Sequence, residues 1–162
     1  MEKTNLQARY RSTMIIMLSL LGSVILLVLV AYVMSQSPQR PALDDPNLIK
    51  WLLWVVHGFA LILGIGIIVG RRVLFRTSRL MRLVEEGGLN RLVDELASKT
   101  ILLAAMSELI ALLAVVLSLL IRSYEAMWRL TTVGVLLLLY NMPRRSAWQR
   151  TVQDFSRLAY EE

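Results

Sequence analysis

Glu108 is the residue of this chain whose type and position together call for a chemical explanation. It lies inside the run Thr100 to Ile121, TILLAAMSELIALLAVVLSLLI, which has no other charge. The run is long enough to cross a bilayer. A carboxylate near its middle costs roughly 3 kcal/mol even on lenient insertion scales, so it marks a site. At 1.5 Å per residue, Glu108 lies ~20 Å below the outer edge of the run and ~12 Å above the inner one. Two chemistries need such a group. A carboxyl that takes up H⁺ or Na⁺ where water reaches it, and is neutral where lipid surrounds it, carries an ion. A carboxyl that hydrogen-bonds a neighbouring helix fastens a bundle.

Depth selects the candidate neighbours. An antiparallel second helix brings Gly64 to the level of Glu108. A first helix brings Leu21 and Gly22, with Ser19 and Ser23 within a turn. Hydroxyls and bare backbone are on offer, but no cation. His57, the single histidine, lies ~9 Å below the outer edge of its run. It is either a water-linked proton relay or a lone histidine facing a neighbouring helix.

The elements that would position these residues are four apolar runs, at 14–34, 51–70, 100–121 and 126–142, in a chain of 162 residues that is 56% hydrophobic. Each approaches or reaches the length needed to span about 30 Å of hydrocarbon. The expectation is an all-α integral membrane protein: a single four-helix membrane domain of two hairpins, with a cytoplasmic loop over 71–99 and a tail over 143–162. The first run is too long for a signal-peptide core, so it reads as an uncleaved helix. The N-terminus, central loop and tail hold 14 of the 18 Lys and Arg, the other two loops 4. The positive-inside rule then places both termini in the cytoplasm. The brevity of the chain and its short loops point to a bacterial cytoplasmic (inner) membrane. Trp51, Trp54, Tyr124 and Trp128 suit the outer headgroup belt.

Asn47 is the expected cap of the second helix. That helix is predicted to run on to about Glu86, break at Gly87-Gly88, and give way to an amphipathic helix whose apolar face is Leu89, Leu92, Val93 and Leu96. Arg72, Arg76, Arg79 and Arg82 form a basic stripe for anionic lipid headgroups or a cytoplasmic protein. In the tail, Trp148, Val152 and Phe155 share one face, as in an interfacial helix; a partner-binding tail is the other reading. Gly66 and Gly70 form a GxxxG pair that permits close helix approach. Glu125 and Arg129 are spaced for an i,i+4 ion pair.

The net charge of +6 gathers at helix ends, which argues against nucleic acid. With no cysteine and one histidine, a thiolate or multi-histidine metal site is excluded. No P-loop, dinucleotide fingerprint or nucleophile–base pair occurs. Neither enzyme activity nor a cofactor is expected.

One stretch, about 51–122, resembles the hairpin of the rotary ATP synthase c subunit, or proteolipid. A Gly-rich helix and a basic loop precede a helix in which Ala105, Glu108, Ala111 and Leu112 match the family's Ala-x-x-Glu-x-x-Ala-Leu-like setting. The resemblance implies that Glu108 is the ion carrier and that copies assemble into a ring. The chain departs from the family in its long loop, where Glu85-Glu86-Gly87-Gly88-Leu89-Asn90-Arg91 replaces Arg-Gln-Pro or Arg-Asn-Pro, and in its two further helices. The expectation is therefore a small multi-pass membrane protein of structural, scaffolding or regulatory type, with an H⁺- or Na⁺-binding oligomer as the alternative.

Overall fold

The computed structural model describes residues 3–35, 43, 45–121 and 124–158, without the side chains of 3–5, 35, 77–79, 83, 85–87, 126 and 155–158. Most of the Pro-rich connector after the first helix and the end of the tail lie outside the described residues. The described chain forms five helices: α1 (Lys3–Ser35), α2 (Pro46–Leu74), α3 (Thr77–Ile121), α4 (Tyr124–Asn141) and α5 (Arg145–Leu158), with no strand. Three segments, Leu6–Met34, Pro46–Leu74 and Gly88–Ile121, are long and apolar enough to cross a membrane. They mark the chain as an integral membrane protein.

Half of the apolar window of α3 is buried, against 17% in α1 and in α2. The third helix is thus the hub. It packs most extensively on α4, and α1 and α2 each pack on both members of that pair rather than mainly on one another. Helical periodicity gives α3 two working faces. Leu103, Ile110, Ala114 and Leu117 meet Ala60 and Ile67 of α2 and Leu130 and Leu137 of α4. Ala104 and Ala111 meet Met17 and Val24 of α1 and Leu138 of α4, and Val115 continues the seam against Ala31 and Met127.

The helix boundaries differ from expectation in two places. Asp45, not Asn47, caps α2: its carboxylate accepts the Asn47 N–H at 2.9 Å, and Pro46 occupies the first turn, where a missing N–H costs nothing. The second helix also ends at Leu74 rather than near Glu86. Phe75 N–H donates to the Arg71 carbonyl and Arg76 N–H to that of Val73. A straight continuation would carry Phe75, Leu80 and Val84 away from the protein. The turn folds them instead onto Leu92, Leu96 and Trp148, making a second core at that end of the bundle. The expected glycine break does occur, at Gly88, whose φ of 70° and ψ of −174° suit only glycine.

The two ends differ in chemistry. At one, Tyr32 meets Tyr124 edge-on and Tyr124 stacks on Trp128, and Trp51 and Trp54 at the start of α2 are exposed. At the other lie Arg9, Arg71 and Arg144. There Tyr10 meets Trp148 edge-on, and Arg9 pairs with Asp94 at 2.9 Å.

Candidate functional site

Glu108 shares the α1-facing side of α3 with Ala104 and Ala111. Small residues one turn on either side let α1 come close, and Ser23 of α1 donates a hydrogen bond to its Oε1. Ser23 Oγ is also 2.9 Å from the carbonyl of Leu20, one turn back on its own helix. The Ser23 hydroxyl is thus shared between the Leu20 carbonyl and the Glu108 carboxyl. The carboxyl is half-buried, at the margin of the seam, with Ala105 and Leu109 exposed beside it.

The other expected neighbours are elsewhere. Ser19, one turn before Ser23, is exposed. Gly64 is buried against α4, where a β-carbon would touch Leu137 Cδ1 at 3.6 Å. No atom of Glu108 lies within 4 Å of that position. His57 bonds within its own helix, its Nδ1 donating to the Leu53 carbonyl at 2.7 Å. A carbonyl can only accept, so Nδ1 carries a hydrogen. Glu125 and Arg129 do pair, in an exposed i,i+4 contact.

At the basic end, Arg72, Arg76 and Arg82 are exposed, while the side chains of Arg79 and Phe155 lie outside the described residues. Trp148 does not face lipid or a partner. It is 6% exposed, inside the second core with Leu80, Leu92 and Leu96. The physical reason is competition: an amphipathic helix covers the nearest unsatisfied apolar surface, and here that surface is protein.

A second polar constellation went unrecognised in the sequence. Arg71, at the end of α2, donates through Nη1 to the carbonyl of Tyr140 and to Asn141 Oδ1. Its guanidinium also lies 4.4 Å from the centre of the Tyr140 ring. Asn141 Nδ2 donates to Ser107 Oγ at 3.2 Å and to the Leu137 carbonyl at 2.9 Å. Ser107, wholly buried, donates to the carbonyl of Leu103 at 2.8 Å. The network fixes the amide orientation, since a flipped Asn141 would turn its NH₂ toward the guanidinium. Three helices are joined at one level, and a cation sits at the C-terminus of α4, where unpaired carbonyls favour it. In the sequence, Arg71 falls at the start of the central loop and Asn141 near the end of the fourth run. The available signal was that both fall at the same end of antiparallel spans.

No family model matches the chain, and no curated protein or solved structure shows significant similarity to it.

Proposed function

We propose that this chain is a small multi-pass membrane protein of structural, scaffolding or regulatory type, in which Glu108 fastens α1 to the α3–α4 pair. The hydrogen bond between Ser23 and Glu108 carries this reading. The carboxyl is met by a hydroxyl from another helix, the arrangement that holds membrane helices together. In this reading α4 is a fourth span, with 18 residues covering about 27 Å and Val133, Leu136 and Leu139 exposed to lipid. Both termini and the loop between α2 and α3 face the cytoplasm of a bacterial cell. The basic bias of that end and the aromatic cluster at the other support this orientation. The exposed Arg72, Arg76 and Arg82 then offer a basic surface to anionic lipid or a cytoplasmic protein.

The half-exposure of Glu108 favours one second reading. A carboxyl at the margin of the bundle can be reached by an ion or by a neighbouring copy, as H⁺ or Na⁺ handling by an oligomer requires. Carbodiimide labelling of Glu108 in native membranes, read by mass spectrometry, separates the two. Labelling that is absent, or indifferent to pH and Na⁺, is the result expected of a fastening group. Labelling near neutral pH that Na⁺ or rising pH suppresses would transfer the assignment to ion binding.

A further inference from the structure

A cavity of about 250 Å³ opens at the basic end, where the last turn of α2, the end of α4 and the start of α5 converge on α3. Its polar wall holds Arg71, Arg144, Asn141 and Thr100; Phe75 and Trp148 contribute to its apolar wall. Among the described residues, no carboxylate lines it, and neither arginine is in an ion pair. Arg71 bonds only neutral acceptors, a carbonyl and an amide, so its charge is oriented but not neutralised.

We infer that this cavity binds the phosphate group of an anionic phospholipid. Two arginines lining one concavity match a phosphodiester, which accepts planar, charge-assisted hydrogen bonds from arginine. The site lies where spans end, which is the level of lipid headgroups. Basic pockets between spans at that level suit anionic headgroups. The volume fits a headgroup and not a whole lipid. Tyr140, against the Arg71 guanidinium, and Val69 and Val73, two residues to either side of Arg71 on α2, are exposed apolar side chains next to the site, where acyl chains would lie. Free phosphate shares the charge chemistry but has no use for that surface. The inference rests on the membrane placement and not on the role of Glu108.

The test is native mass spectrometry of the full-length protein in detergent, titrated with short-chain phosphatidylglycerol or short-chain phosphatidylcholine, and with phosphatidylglycerol in competition with inorganic phosphate. The wild type is expected to bind one phosphatidylglycerol in preference to phosphatidylcholine. Arg144→Gln, an exposed position, should weaken that binding roughly ten-fold or more, the effect of losing a hydrogen bond to a charged group. Arg129→Gln, an exposed arginine at the opposite end of the bundle, should leave it unchanged. Equal binding of the two lipids, equal effects of the two substitutions, or displacement of phosphatidylglycerol by inorganic phosphate at matching concentration would each overturn the inference.

Discussion

Gly134 of α4 rests so closely on Ala111 of α3 that a β-carbon on Gly134 would lie 3.1 Å from both the nitrogen and the β-carbon of Ala111, and equally close to the carbonyl oxygen of Ser107. Two of these three atoms are backbone, so a side chain at this position can be admitted only by moving a helix. This close approach of α4 to α3 depends on the glycine.

Gly134→Leu should therefore separate α4 from α3 and cost about 1–3 kcal/mol, the usual range for overpacking. Gly66→Leu should be close to neutral in the monomer, because a β-carbon at Gly66 meets nothing within 4 Å. Thermal unfolding in detergent, followed by tryptophan fluorescence, compares the two. Equal destabilisation by both would contradict the assignment of the close contact to Gly134.

The Ser23–Glu108 bond predicts a specific pattern in a double-mutant cycle. Ser23→Ala should destabilise the bundle by about 0.6–1.7 kcal/mol, as interhelical hydrogen bonds in membranes do. Glu108→Leu should cost a similar amount, and the double variant little more than either alone. Glu108→Gln retains a hydrogen-bonding partner for Ser23 and should stay near wild type. Additive losses in the double variant would show that the two side chains do not act through each other.

Trp148 holds the second core, so Trp148→Ala should cost about 3–5 kcal/mol there, in the range for deleting a buried aromatic ring. Limited proteolysis by trypsin at Arg150 should accelerate sharply in this variant. Trp54→Ala, at an exposed position of α2, should leave the cleavage rate unchanged. A protease-resistant α5 in the Trp148 variant would mean that the tail is held by something else.

Orientation can be read directly because the chain has no native cysteine. With both termini in the cytoplasm, a membrane-impermeant maleimide should label Asn47→Cys in intact cells and Ser146→Cys only after permeabilisation. Both positions are exposed in the fold. The reverse pattern would invert the proposed topology.

What the sequence determined by itself is what depends on local composition and period. Apolar runs of bilayer length specify helices, because every backbone polar group in hydrocarbon must be satisfied within its own segment. The break at Gly88 was legible for the same reason: adjacent glycines give up helix most readily. Depth along a span was also legible, since rise per residue is constant, and it brought Ser23 to the level of Glu108. Facing was not. Gly64 and Ser23 were equally plausible partners by depth, and packing on α3 decided between them: Ala104 and Ala111 turn Glu108 toward α1, while Leu103, Ile110 and Ala114 turn the other face toward α2. The end of α2 at Leu74 and the burial of Trp148 were likewise tertiary outcomes. Amphipathic segments at a membrane surface can cover lipid or protein with the same apolar face, and only the fold brings Leu80, Leu92 and Leu96 within reach of Trp148. The network of Arg71, Asn141 and Ser107 joins residues far apart in the chain, so no local pattern announces it; it exists because antiparallel packing brings the end of α2, the end of α4 and the middle of α3 to one level.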